Sequence, residues 1–146
     1  MIILVLHGPN LNLLGEREPE IYGTTTLNEI NEQLVAKAAA KNVELIATQS
    51  NHEGVLIDLI HAYRKSAAAL IINPGAFTHY SYAIRDAITA FTKPVVEVHL
   101  SDLSKREEFR QKSVLDGLAN VTRIMGKGAQ GYYEALDRLT EQAPGT

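Results

Sequence analysis

The chain of 146 residues contains no cysteine. It can therefore form no disulfide, no thiolate metal site and no cysteine nucleophile. Any catalysis must depend on histidine, tyrosine, arginine, carboxylate or amide side chains.

The sequence also lacks a strong excess of one charge and a long hydrophobic run. A net charge of −3 and a pI near 5.9 give no general reason to bind nucleic acid or an anionic membrane. No apolar run approaches the roughly 18 residues that span a membrane, and no basic region precedes the apolar N-terminus MIILVL. We expect a cytoplasmic protein that binds neither nucleic acid nor membrane.

The composition is that of an ordinary globular protein, with 45% hydrophobic and 21% charged residues. The length suits one domain, which we expect to span residues 1–146. A polar loop occupies about 15–23, and the C-terminal tail, about 141–146, is expected to be frayed.

Five apolar runs predict strands that are buried on both faces, and helical spacing of apolar residues separates them. The runs are residues 2–6, 43–48, 68–72, 94–100 and 121–125. Strands that alternate with helices indicate right-handed βαβ units. The predicted fold is α/β, a flavodoxin-like three-layer sandwich whose five-stranded parallel sheet has the order 2-1-3-4-5.

Capping-box spacing predicts three helix starts, at Thr26, Ser50 and Ser104, each followed by Glu three residues later. A final helix is predicted at about 129–139. Arg106 and Arg110 would then lie one turn apart on the helix that begins at Ser104. They either bind a carboxylate or phosphate or form a solvated face with nearby glutamates.

Polar residues follow three of the predicted strands, and ligands of open parallel sheets bind beyond the carboxyl ends of strands. Strands one, three and four are neighbours in the predicted order, so these residues should converge on one crevice. They include His7, Asn10, Asn73, Gly75, His79, Glu97, His99 and Ser101.

Glu97 and His99 are two residues apart on a strand, so their side chains point to the same face. A carboxylate behind a histidine favours the imidazolium and suits a proton donor. The same pair can also be a structural salt bridge.

The loop GEREPEIYG at 15–23 has glycines at both ends, as expected of a lid that closes over a ligand. Arg17 and Tyr22 are its chemically useful side chains. A phenol, with an ordinary pKa of about 10, becomes a useful base only beside a cation, which Arg17 could supply. Alternatively, Tyr22 packs as a loop anchor.

Six blocks together resemble the type II 3-dehydroquinases (3-dehydroquinate dehydratases): LVLHGPNLNLLG, REPEIYG, QSNHEG, INPGAFTHYSYAIRDAI, VVEVHLSDLSKREEFR and GAQGYYEAL. The resemblance implies anti elimination of water from 3-dehydroquinate, through an enolate, to give 3-dehydroshikimate. It places the chain in the shikimate pathway or in quinate catabolism. It implies no cofactor and no metal, the flavodoxin-like fold, and a dodecamer built as a tetramer of trimers.

The resemblance also implies catalytic roles for five residues. Tyr22 would be the base, and Arg17 would favour its phenolate and help to close the lid. Asn10 would stabilise the enolate oxygen through a water. His99 would protonate the leaving hydroxyl, with Glu97 behind it.

Substrate-binding roles are implied for Asn73, Gly75, His79, Leu100, Ser101 and Arg110. Asp86 would reach the site of an adjacent subunit. The sequence departs from the family pattern at His7, where Asn is common, at Glu16, which bears on how strongly Arg17 acts, and at Lys127, in a stretch that is usually apolar.

Two other functions remain possible at this stage. A metal-dependent hydrolase or lyase would use His79, Glu97 and His99 as ligands. A non-catalytic flavodoxin-like binding or signalling domain would share the fold, but the chain has neither an acidic cluster nor a Gly-rich loop after strand one.

Overall fold

Five parallel strands form the centre of the molecule in a computed structural model that describes residues 1–141. They are β1 (Ile2–His7), β2 (Glu44–Gln49), β3 (Ala67–Asn73), β4 (Val95–His99) and β5 (Val121–Met125). The order is β2-β1-β3-β4-β5 and every pairing is parallel, which confirms the predicted fold. The tail that is predicted to be frayed lies, apart from residue 141, outside the described residues.

Helices cover both faces of the sheet. They are α1 (Pro19–Tyr22), α2 (Leu27–Ala39), α3 (Glu53–Tyr63), α4 (Tyr82–Phe91) and α5 (Gln130–Glu141). Alternate β1 side chains enter two separate cores: Ile3 and Val5 pack with α2 and α5, whereas Leu4 and Leu6 pack with α3 and α4. This explains why β1 reads as a continuous apolar run. No helix within residues 1–141 has the length and apolar character needed to cross a membrane.

The predicted helix starts have different outcomes. The Thr26 hydroxyl accepts a hydrogen bond from the Glu29 amide and caps α2, as predicted. The prediction for Ser50 is wrong, because α3 begins at Glu53 after His52, and the Ser50 hydroxyl accepts from the His52 amide instead. A serine two residues before the cap is satisfied within the turn itself.

The helix predicted at Ser104 is also wrong. The segment forms two short 3₁₀ turns, Leu103–Lys105 and Glu108–Arg110. The Asp102 carboxylate, not the Ser104 hydroxyl, accepts the capping hydrogen bond, from the Ser104 amide at 3.0 Å. Arg106 and Arg110 therefore do not share a helical face.

The loops that follow β1 and β3 touch each other at Gly8. The Gly8 amide donates to the Asn73 carbonyl at 2.7 Å. A Cβ atom at residue 8 would lie 2.6 Å from both the carbonyl carbon and the oxygen of Pro74. Only glycine permits this approach, which brings the two loops to the same end of the sheet.

Candidate active site

A crevice of about 520 Å³, including its open mouth, lies beyond the carboxyl ends of β1, β3 and β4. The three strands are adjacent, so their terminal residues converge as the strand order requires. Ten of the twelve predicted site residues line the crevice: Asn10, Arg17, Tyr22, Asn73, Gly75, His79, His99, Leu100, Ser101 and Arg110. Glu97 and Asp86 do not.

Glu97 lies directly behind His99. Its side chain is fully buried, and Glu97 Oε2 is 2.6 Å from His99 Nε2. Burial alone would raise the pKa of Glu97, but the His99 hydrogen bond and charge, the Thr78 hydroxyl and Arg123 together lower it to about 2. The carboxylate is therefore ionised, and it orients the imidazole that faces the crevice.

Three further residues hold this carboxylate, and the sequence predicts none of these contacts. The hydroxyls of Thr78 and Ser113 donate to Glu97 Oε2 at 2.6 and 2.9 Å. Arg123 Nε donates to Glu97 Oε1 at 3.0 Å. Arg123 pairs with Glu97 across β4 and β5, so only the register of the sheet could have predicted the contact.

Two arginines surround Tyr22. Both terminal nitrogens of Arg106 lie 3.4 Å from the Tyr22 hydroxyl, and Arg106 also donates to the Ser101 hydroxyl at 3.0 Å. The guanidinium carbon of Arg17 lies 4.7 Å from the centre of the Tyr22 ring. Arg17 is the predicted source of positive charge beside the phenol, whereas the residue at the phenol oxygen is Arg106.

The segment 15–23 contributes two side chains, Arg17 and Tyr22, to the crevice. Gly15 and Gly23 have positive φ angles of 91° and 83°, and α1 places Tyr22 at the end of the segment. Glu16 lines a different hollow, whereas Arg17 lines the crevice. The acid next to Arg17 in sequence is thus not part of the crevice lining.

Asn10 adopts a left-handed conformation with φ 68°. The backbone N–H of Asn10 donates to Asn51 Oδ1 at 2.9 Å, and Gln49 Nε2 donates to the same oxygen at 3.1 Å. Asparagine tolerates this backbone region better than most residues. The end of β2 therefore fixes the backbone that presents Asn10 to the crevice.

His79 and Arg110 both line the crevice. His79 Nδ1 donates to the Lys112 carbonyl at 2.7 Å; burial lowers the pKa of His79, and this hydrogen bond only partly opposes the shift. Arg110 lines the crevice while its Nε donates to Glu107 at 2.9 Å. Both interpretations of Arg110, ligand contact and surface ion pair, are thus compatible with its position.

Asp86 is exposed on α4 and does not line the crevice of its own chain.

The metal alternative requires His79, Glu97 and His99 to converge on one ion. However, Glu97 Oε2 accepts a hydrogen bond from His99 Nε2, and His79 Nδ1 donates to the Lys112 carbonyl. Within the described part of the chain, no group of three His, Asp or Glu residues is arranged to hold a metal ion.

The chain is similar to known proteins over nearly its full length. The family model for class II dehydroquinases matches residues 1–140. The 3-dehydroquinate dehydratase of Carboxydothermus hydrogenoformans is 58% identical over 141 residues, covering 97% of this chain and 91% of the relative. That of Pelotomaculum thermopropionicum is 54% identical over 136 residues, covering 93% and 94%. The crystal structure of type II dehydroquinase from Butyrivibrio crossotus superposes with a TM-score of 0.91 at 45% identity, covering 95% of this chain and 97% of the other.

Proposed function

The chain belongs to the class II dehydroquinase family, and from this premise we propose that it is a 3-dehydroquinate dehydratase, a hydro-lyase of the shikimate pathway or of quinate catabolism. One observation carries the proposal: a tyrosine beside two guanidiniums and a histidine backed by an ionised carboxylate line the same crevice. A non-catalytic binding domain has no need of such a base and acid.

Tyr22 is the base in this proposal. As phenolate it removes the proton from the carbon next to the substrate ketone. The C–H electron pair becomes the enolate double bond. Arg106, 3.4 Å from the hydroxyl, stabilises the negative oxygen, and Arg17 adds positive charge over the ring.

Asn10 and His99 complete the elimination. Asn10 stabilises the enolate oxygen through a water. His99 gives its proton to the departing hydroxyl, which leaves as water when the enolate collapses. The ionised Glu97, 2.6 Å from His99 Nε2, accepts a hydrogen bond from the imidazole and orients it for this transfer.

Substrate binding falls to Asn73, Gly75, His79, Leu100, Ser101 and Arg110, all of which line the crevice. The guanidinium of Arg110 suits the substrate carboxylate. The whole of residues 1–146 serves as one catalytic domain with the segment 15–23 as its lid. The reaction needs neither a metal nor an organic cofactor.

The functional form is a homo-oligomer, a dodecamer built as a tetramer of trimers, in the cytoplasm. Asp86 contributes to the site of a neighbouring subunit. Its exposure on α4 supports this role. So does the high exposure of Tyr80 at 59% and Tyr82 at 69%, which come shortly before Asp86 in the sequence.

An ultraviolet assay for the conjugated enone formed from 3-dehydroquinate tests the proposal. The wild-type protein should produce the enone, and Tyr22→Phe should lose at least about 10²-fold in kcat while still binding substrate, because only the proton acceptor is removed. Tyr63→Phe, outside the crevice, is the matched control and should keep wild-type turnover. An inactive wild-type protein, or near-normal turnover by Tyr22→Phe, would refute the assignment.

A further inference from the structure

A network of four hydrogen-bonded side chains connects α2 to the crevice. Asn31 Oδ1 lies 2.8 Å from His7 Nε2, and His7 Nδ1 lies 3.0 Å from the Tyr132 hydroxyl. The Tyr132 oxygen lies 3.1 Å from Asn73 Nδ2. His7 and Tyr132 are fully buried, and Asn73 is 3% exposed.

The hydrogen bonds of this network have one consistent direction. The Asn31 carbonyl oxygen can only accept, so His7 carries its hydrogen on Nε2. Burial lowers the pKa of His7 to about 4, despite the opposing hydrogen bond to Asn31, so the ring is neutral and Nδ1 accepts. Tyr132 therefore donates to His7, and its oxygen accepts from Asn73.

The Asn73 amide is held at both ends. Its Nδ2 donates to Tyr132, and its Oδ1 accepts from the Gly75 amide at 3.0 Å. One Nδ2 hydrogen and one Oδ1 lone pair remain. Asn73 lines the crevice, so these two positions are available to a ligand in it.

A purely structural role does not explain this network. Phenylalanine at position 132 would fill the same core volume, and a polar chain in a core costs desolvation that only complete pairing offsets. The pairing is complete here, since no buried side-chain nitrogen or oxygen within residues 1–141 lacks a partner. What the hydroxyl adds beyond packing is a fixed orientation of Asn73.

We propose that His7 and Tyr132 are positioning residues that hold the Asn73 amide in the orientation in which it binds substrate. The inference deepens the proposed function and rests on it, because the substrate is 3-dehydroquinate and Asn73 is one of its ligands. Neither His7 nor Tyr132 touches the reacting atoms. They act through Asn73.

The first test is Tyr132→Phe, which removes one hydroxyl and keeps the ring. We expect KM for 3-dehydroquinate to rise about ten-fold with little change in kcat, since Asn73 holds the substrate equally in the ground state and the transition state. Tyr133→Phe is the matched control on the same helix. The Tyr133 ring lies under the Lys37 ammonium and is not part of the network. The KM of this variant should stay at the wild-type value.

The second test compares two substitutions of His7. His7→Asn keeps an acceptor near the position of Nδ1 and should leave KM within about two-fold of wild type. His7→Leu has no acceptor and should raise KM about ten-fold, like Tyr132→Phe. Loss of packing alone would not distinguish the two variants in this way.

A third measurement adds Tyr132→Phe to Asn73→Ala. If Tyr132 acts through Asn73, the double variant should have the KM of Asn73→Ala alone. A further, additive rise would overturn the inference.

The outcomes separate the inference from the proposed function. A wild-type protein that does not dehydrate 3-dehydroquinate refutes the function. An active wild type with a folded Tyr132→Phe of unchanged KM refutes only the positioning role. Should Tyr132→Phe fail to fold, equal KM values for His7→Asn and His7→Leu would refute it in the same way.

Discussion

Tyr22 depends on residues that are distant in the chain. Arg106 reaches its hydroxyl from 84 residues away, and it does so with both terminal nitrogens. A planar guanidinium can make such a paired contact, and an ammonium cannot. The positive charge at the phenol oxygen is therefore a product of the tertiary fold.

Arg106→Gln should lower kcat about ten- to hundred-fold, because it removes a charge-assisted contact that strengthens as the phenolate forms. The measurement is steady-state turnover of 3-dehydroquinate. Arg64→Gln is the control, since the Arg64 guanidinium donates to the His61 carbonyl and does not line the crevice. Equal kcat values for the two variants would contradict the role of Arg106.

Most crevice residues could be predicted because each follows a strand whose place in the sheet the sequence indicates. The partners of those residues could not. Thr78, Ser113 and Arg123 meet Glu97 through separate segments, and their convergence depends on register and loop path. The helix predicted from Ser104 pairs Arg106 with Arg110 and so gives no indication of its contact with Tyr22.

The capping residues decide where the helices begin. Thr26 caps α2 with one hydrogen bond to the Glu29 amide. Ser81 caps α4 by accepting from the Ile84 amide, and it also donates to the Glu53 carboxylate on the first turn of α3. One hydroxyl therefore stabilises two helix starts.

Thr26→Ala should lower the free energy of unfolding by about 1 kcal/mol, as for a single lost cap. Ser81→Ala should cost more, on the order of 2 kcal/mol, because the Glu53 carboxylate also loses a donor. Urea unfolding of the two proteins measures the difference. Equal losses would mean that the bond between Ser81 and Glu53 contributes nothing.

A Ser or Thr followed by Glu three residues later does not alone specify a helix start. This spacing occurs at Thr26, where a cap forms, and at Ser50 and Ser104, where turns form. At Ser104 the preceding Asp102 accepts from the Ser104 amide, so the serine no longer serves as the cap. Local competition between neighbouring acceptors decides the outcome, and the spacing does not record it.

Two buried groups make the stability of the whole molecule dependent on pH. The pKa of His7 is about 4 in the folded protein, against 6.5 for the free group. As pH falls from 6.5 to 4 the unfolded chain takes up this proton first, and stability decreases. The pKa of Glu97 is about 2, against 4.5, so its contribution is present above pH 4.5 and is lost as pH falls toward 2.

Wild-type protein should therefore lose on the order of 3 kcal/mol more stability between pH 6.5 and 4 than His7→Asn does. Both proteins should show the same further loss below pH 4.5, because both retain Glu97. Denaturant unfolding at a series of pH values measures the two curves. Parallel curves above pH 4.5 would show that His7 does not titrate as its burial implies.

The assembly sets the last test. If Asp86 serves a neighbouring site, mixing Asp86→Ala subunits with Tyr22→Phe subunits should restore part of the activity that each protein alone lacks, since some sites then contain both intact residues. Turnover of verified mixed oligomers is the measurement. Mixed oligomers without recovery would contradict sharing between subunits.

The contact at Gly8 ties two strand ends into one mechanical unit. With no room for even a methyl group against Pro74, the backbone that carries Asn10 and the backbone that carries Asn73 cannot shift independently. Attempts to reshape this enzyme for a larger ring would thus need to vary the 8–10 and 73–75 turns as a pair, with residue 8 held as glycine.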